Sequence, residues 1–334
     1  MPGKGFLFVL FSLLFLNVAY VPAAVGGPAR YKVFVVMSYH DTVVWENEIR
    51  RGIESVLADA CEVRYFYLDT KYRFSGGAEK AREAFRVYQE YHPDGVISAD
   101  DDAQSLFVVP YLKAKVKTPV VFCGVNAEPE RYGFPAANVT GILERAHLRE
   151  SIAFLRQLVP TVNSVCYLGI DNGTGRTYSD IVRGEAHSYP AKPVANRLVL
   201  TMDEALSASE ELRKKCDALM LTTLEGLKDS AGNYLSEKEI IPRIAKSFGK
   251  PVIGINDFTI RSGLLCAVVK SGQEQGATAA RMLLKAMRGT PVSEMPITRN
   301  REGKRMINVS VMKELGIKPR PVILRGAELV KSEK

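Results

Sequence analysis

The run from Pro93 to Asn126, PDGVISADDDAQSLFVVPYLKAKVKTPVVFCGVN, most constrains what this chain can fold into. It reads as a buried strand at 95–99, a helix that starts at three aspartates, and a second buried strand at 119–124. Two short runs rich in valine and isoleucine, one helix length apart, form a βαβ unit whose strands lie parallel. An open parallel sheet binds ligands outside the carboxyl ends of its strands. The polar residues that follow these two strands are therefore candidates for function: Asp100, Asp101, Asp102 and Gln104 after the first, Asn126 after the second.

The same alternation extends in both directions. A strand at 31–37 precedes the loop Ser38-Tyr39-His40-Asp41, and Asp41 is placed to cap a helix whose apolar positions Ile49, Ile53, Val56 and Leu57 keep helical spacing. A strand at 62–68 and an amphipathic helix with Ala81, Ala84, Phe85 and Tyr88 on one face complete one doubly wound unit. The pattern resets near Asn138-Val139-Thr140-Gly141. A second series of strands and helices follows, with strands at 164–170, 196–201, 218–223 and 251–255. The tail breaks simple alternation: strand 264–269, helix 273–288, strand 305–309 and a short helix at 311–315. A tail long enough to revisit both units predicts several crossings between two lobes, hence a hinge beside a cleft.

The first residues stand apart from this globule. Lys4 supplies a positive start, 6–16 is apolar except for Ser12, and Val21-Pro22-Ala23-Ala24 offers small residues for cleavage. This predicts a secretory signal peptide over residues 1–24. The apolar core is short for a membrane span, which needs ~20 residues. No cysteine lies near the cleavage point, which argues against lipid attachment. The expected product is an exported, periplasmic, monomeric protein.

The formal net charge of +8 is dispersed. Arg50-Arg51, Lys214-Lys215 and the basic residues of 299–305 are short, separated, and not interleaved with aromatics, so a nucleic-acid partner is not expected. The four histidines are scattered and the five cysteines show no metal-ligand spacing, so neither metal nor cofactor is expected. Cys123, Cys166 and Cys266 sit in apolar strand-like runs and read as buried free thiols.

The tail resembles that of ABC transporter substrate-binding proteins of the tryptophan/tyrosine-binding type. The residues that carry this are Gly263 to Val269, Gln275 to Ala280, Leu283-Leu284-Lys285 with Gly289, Met295-Pro296-Ile297, Ile307-Asn308-Val309 and Leu315-Gly316-Ile317. Pro93 to Ile97, Thr118 to Val125 and Asn138 to Gly141 stand in the matching order in the first half. The resemblance implies a type I periplasmic-binding fold: two doubly wound parallel-sheet α/β lobes joined by a hinge with crossover strands, closing on a small ligand. With it, lobe 1 is expected at 30–140 plus 270–299, and lobe 2 at 141–269 plus 300–325. Two positions depart from many relatives. Lys270-Ser271-Gly272 replaces an Asp-Tyr pair, and Asp100 to Asp102 replace a small uncharged loop.

Collecting the strand-end loops yields the candidate ligand-binding set: Ser38, Tyr39, His40, Asp41, Trp45, Asp100, Asp101, Asp102, Gln104, Asn126, Asp171, Thr174, Tyr178, Thr223, Glu225, Asn256, Asp257 and Lys270. Carboxylates and amides dominate, with aromatics nearby. Such a set accepts hydrogen bonds from an ammonium group or hydroxyls while a ring stacks on an apolar face. Aspartates at a helix start also cap free N–H groups, so at least one of Asp100 to Asp102 is expected to serve that structural end. Trp45, the only tryptophan, suits either the core or the cleft rim.

Two function classes follow. One is a solute-binding protein that presents a small polar ligand, an amino acid or amine ahead of a sugar, to an ABC permease or a membrane sensor. The other is an exported α/β enzyme acting on a small polar substrate. No nucleophile elbow, zinc spacing or nucleotide fingerprint supports the second.

Overall fold

The computed structural model describes residues 1, 3, 30–70, 74–222, 224, 226–332. Apart from residues 1 and 3, the expected signal peptide lies outside the described residues, as do Thr223 and Glu225. Residues from Tyr31 onward form one compact unit.

The first lobe opens with β1 (Tyr31–Met37), α1 (Val44–Leu57), β2 (Cys61–Tyr67), α2 (Gly77–Tyr91) and β3 (Gly95–Ala99). The short α3 (Asp100–Ala103) runs into a π-helical stretch at Gln104–Leu112. Pro110 within it has no N–H to donate, which suits a turn widened to bonds such as Lys113 N–H to the Val108 carbonyl. β4 (Val120–Val125) and β5 (Val139–Leu143) follow. The second lobe contains α4 (Leu148–Leu158), β6 (Ser164–Ile170), α5 (Gly173–Gly184), β7 (Lys192–Val199), α6 (Met202–Arg213), β8 (Ala218–Leu221), α7 (Glu237–Phe248), β9 (Val252–Ile253), α8 (Asp257–Arg261) and β10 (Cys266–Lys270). Capping boxes from Thr201 to Glu204 and from Ser236 to Glu239 start α6 and α7.

The chain then returns. α9 (Gly272–Met287) packs on the first lobe, placing Ala279, Ala280 and Leu283 in the core behind β1, β3 and β4. β11 (Thr298–Arg299) pairs with β5, and β12 (Gly303–Asn308) crosses back to pair antiparallel with β10. α10 (Val309–Glu314), α11 (Pro321–Leu324) and β13 (Glu328–Val330) finish the second lobe. Among the described residues, three segments thus join the lobes: between β5 and α4, between β10 and α9, and between β11 and β12.

The sheet orders are β11-β5-β4-β3-β1-β2 and β13-β12-β10-β9-β8-β6-β7. Each has apolar clusters on both faces, which is why its central strands are continuous apolar runs. The expected α/β fold of two doubly wound lobes with crossover strands is borne out. In each sheet the strand order reverses at one point, between β1 and β3 in the first and between β6 and β8 in the second. Those switch points are where a crevice opens at the strand ends.

Three local expectations are corrected. α1 starts at Val44 with Val43 as its cap residue, and Asp41 makes no side-chain cap bond. No aspartate side chain caps α3 either. The Ala103 N–H donates to Ser38 Oγ at 2.8 Å, and Ser38 Oγ–H donates to the Ala99 carbonyl at 2.6 Å, so β1 supplies the cap from across the sheet. Cys166 is bonded to Cys216. Cys216 precedes β8, which pairs beside β6, and this brings the two α-carbons to 6.0 Å, within disulfide range. Cys123 and Cys266 are buried thiols, as expected.

Candidate functional site

A cleft of about 1230 Å³ opens along the strand ends of both sheets and the crossing segments. Its first-lobe wall is built from the loop after β1, the start of α1, Asp100 and Asn126. Its second-lobe wall carries Asn172, Thr174 and Tyr178 after β6, and Ile255 to Phe258 after β9. Glu144 and Lys270 line the segments between.

Asp100 is the residue this architecture treats most unusually. It follows β3 directly, at the switch point beside β1, and is 3% exposed. Its backbone has φ +65°, a left-handed conformation that costs about 1–3 kcal/mol for a residue with a side chain and recurs at functional sites. The Trp45 indole N–H donates to Asp100 Oδ1 at 2.9 Å, and Gln104 Nε2 donates to the Asp100 carbonyl at 2.9 Å. Gly124 lies opposite, where a Cβ would stand 2.7 Å from Asp100 Oδ1. Asp100 Oδ2 is buried and has no hydrogen-bond partner among the described residues. Burial, then the charges of Glu46 and Glu144, hold this carboxyl well above the ordinary carboxylate range.

Its two neighbours are used differently. Asp101 accepts from the Asn126 N–H at 3.0 Å, the Ala127 N–H at 3.2 Å and the Tyr132 hydroxyl at 2.7 Å, tying the loop after β4 to α3. The Asp102 carbonyl accepts from Ser105 Oγ at 3.2 Å, and neither Asp101 nor Asp102 lines the cleft.

At the base of the cleft Lys270 Nζ forms an ion pair with Glu144. The side chains are 13% and 5% exposed, so this pair is withdrawn from water. Burial alone would lower the Lys270 pKa, but Glu144 and Tyr178 more than offset it and the lysine stays charged. Tyr178 and Tyr39 face the same space, and burial raises both hydroxyls, leaving them neutral donors.

Of the candidate residues, Tyr39, Trp45, Asp100, Asn126, Thr174, Tyr178, Asn256, Asp257 and Lys270 come together on the cleft wall. Ser38, His40, Asp41, Asp101, Asp102, Gln104 and Asp171 do not line it. Ser38 and Gln104 are buried beneath it, holding α3 and Asp100 in place. Asp171 pairs with Arg176 at the surface, and His40 stands 3.9 Å from Asp69.

A profile of the family described as ABC transporter substrate binding protein matches residues 48–331. The chain belongs to that family. The Tyrosine-binding protein of Clostridioides difficile (strain R20291) is 23% identical over 210 residues, 62% of this chain. The match spans 57% of that relative's own length. The ligand-free, open structure of a substrate binding protein with adhesive properties from Clostridium difficile superposes with a TM-score of 0.73 at 16% identity, covering 91% of this chain and 100% of the other. An ABC domain in complex with L-Trp from Streptococcus pneumonia has a TM-score of 0.58 at 18% identity, covering 90% and 100%. At such identities these likenesses speak to the fold.

Several cleft residues of this substrate-binding protein escape sequence reasoning: Glu144, Glu48, Arg51 and Lys304 among them. Glu48 and Arg51 continue the face of α1 that begins at Trp45, at spacings of three residues, so the helix period was an available signal. Glu144 is the first charged residue after the apolar β5, at the kind of strand end that supplied most other candidates. These additions narrow the charge balance. Glu48, Asp100, Glu144 and Asp257 line the cleft with Arg51, Lys270 and Lys304, a nearer match than the acidic excess the loops suggested.

Proposed function

We propose that this protein is exported and, without catalysing a reaction, clamps a small zwitterionic or cationic ligand between its lobes, then presents it to an ABC importer. A membrane sensor is the alternative recipient. The observation that carries the reading is Asp100: a buried carboxyl whose Oδ2 lacks a partner among the described residues, set against an indole inside an interlobe cleft. An ammonium group there would form a charge-assisted hydrogen bond of about 1.5–3 kcal/mol. Trp45, Tyr39, Tyr178 and Phe258 provide ring surfaces, and the near-balanced lining favours a zwitterion over a polyamine. An aromatic amino acid is the first class to test, since the named relatives include a tyrosine-binding protein and an L-Trp complex.

Closure would move 30–140 with 270–299 against 141–269 with 300–325, the crossing segments acting as the hinge. The mature protein works as a periplasmic monomer in this reading. No helix among the described residues is long and apolar enough to cross a membrane. The test is calorimetry with L-tyrosine, L-tryptophan, simple amines, sugars and a phosphate ester, on wild type and Asp100→Asn. Amino acids or amines should bind, be recovered unchanged, and bind at least tenfold more weakly to the variant. Preference for the phosphate ester, or equal affinities for both proteins, would refute the reading.

A further inference from the structure

The charges of Glu46 and Glu144 both act on the buried carboxyl of Asp100 beside the cleft. Glu46 on α1 is 1% exposed, Asp100 is 3% exposed, and Glu144 after β5 is 5% exposed. Asp101 on the same short helix, Tyr39 after β1 and Cys123 on β4 also face Asp100. Lys270 on β10 also acts within this group, and its ammonium is engaged by Glu144. Glu46 Oε1 accepts from the Tyr39 N–H at 2.8 Å. Among the described residues, Asp100 has one oxygen bonded to Trp45 and the other unpartnered.

We propose that Asp100 carries a proton in the empty cleft and gives it up when the ligand's positive nitrogen arrives, so that ligand binding is a proton exchange. This rests on the proposed function for the identity of the incoming group. An ionised Asp100, buried with its Oδ2 unpartnered among the described residues and beside a lysine that Glu144 already engages, would be costly, and the neutral acid avoids that. Burial and the charges of Glu46 and Glu144 act in this direction on Asp100, while the Trp45 hydrogen bond opposes them. An ammonium ion against Oδ2 reverses the preference, and the proton leaves to solvent. Charge balances: one cation enters the site and one proton departs. Linkage sets the sign. Below the Asp100 pKa of the empty protein, affinity falls about tenfold for each pH unit; above it, affinity is independent of pH.

Trp45 is the only tryptophan and donates to the carboxyl in question, so its emission reports this proton without any ligand. Emission of the ligand-free full chain should titrate with a midpoint above the ordinary aspartate value of about 3.9. The transition should vanish in Asp100→Asn, whose side chain suits a positive φ. It should move to lower pH in Glu46→Gln. Methylammonium, but not sodium at equal ionic strength, should lower the midpoint. Calorimetry of L-tyrosine in buffers of different ionisation enthalpy should show close to one proton released below the midpoint and none above it. A flat emission profile, or a transition that survives in Asp100→Asn, overturns the proposal. So does a midpoint insensitive to methylammonium. If methylammonium shifts the midpoint while no amino acid binds, the proton exchange stands and the amino-acid reading falls.

Discussion

Replacing Lys270 with methionine tests whether the base of the cleft is held by a pair or only decorated by one. Lys270 ends β10 and Glu144 follows β5, so the two sit on separate segments that cross between the lobes. With side chains 13% and 5% exposed, neither has water to fall back on. Loss of the lysine leaves Glu144 buried with an uncompensated charge, for which about 3–5 kcal/mol is the usual cost. Glu144→Gln should cost less, because Lys270 also feels Asp100 and can turn towards it. Replacing both together, as Lys270→Met/Glu144→Leu, removes the buried charge altogether. Such replacements come out neutral or about 1–4 kcal/mol more stable than the pair.

The assay is urea denaturation of ligand-free protein, followed by Trp45 fluorescence for the first lobe and circular dichroism for the whole chain. With a slope of about 3 kcal/mol/M, a loss of about 4 kcal/mol moves the midpoint by more than ~1 M. The double variant should recover most of that shift. A cost below about 1 kcal/mol for Lys270→Met, or a double variant as unstable as the single one, would refute the reasoning. Either result would mean that water reaches Glu144 despite its burial.

Three further outcomes follow from the geometry. Gly276→Ala would place a Cβ 2.0 Å from the Ile49 carbonyl oxygen, where α9 meets α1, and overpacking of this kind costs about 1–3 kcal/mol, read as a lower thermal midpoint. The Cys166–Cys216 disulfide closes a separation of 50 residues. The chain-entropy relation then assigns it about 4 kcal/mol, so Cys166→Ala/Cys216→Ala should lower the urea midpoint, and peptide mapping should show both thiols unreactive until reduced. Asp100 holds its proton more tightly folded than unfolded, so its stabilising contribution is full below about pH 3.9 and lost as pH rises through the folded value. Ligand-free stability should decline across that window in wild type and less steeply in Asp100→Asn, as unfolding at a series of pH values would show.

Much of the architecture was legible because parallel strands buried on both faces must be apolar throughout. The β3, β4, β6 and β8 runs therefore announce themselves, and the turn residues between them mark the helices. The adjacency of strands is another matter. That β6 lies beside β8, bringing Cys166 to Cys216, is a non-local pairing with no local signature, and buried thiols were the natural expectation from the apolar context. The ordered motifs of the tail, read through a family resemblance, supplied the crossings that periodicity alone only hinted at.

The three aspartates show where local reasoning stops. From sequence they are equivalent: adjacent, at a helix start, each able to cap or to face ligand. The fold separates them through partners far along the chain. Ser38, more than sixty residues earlier, takes the capping bond and frees the aspartates from it. The loop after β4 claims Asp101 through two backbone N–H groups and, with Tyr132, leaves that carboxylate well satisfied. Asp100 alone turns into the left-handed region, against the room left by Gly124, and its side chain meets Trp45 instead of the helix it begins. A strained backbone, a missing partner and a buried carboxyl at one position are three departures from what stability alone would select. Their coincidence at the switch point of the first sheet, where topology independently places the crevice, is what makes Asp100 the centre of the functional reading.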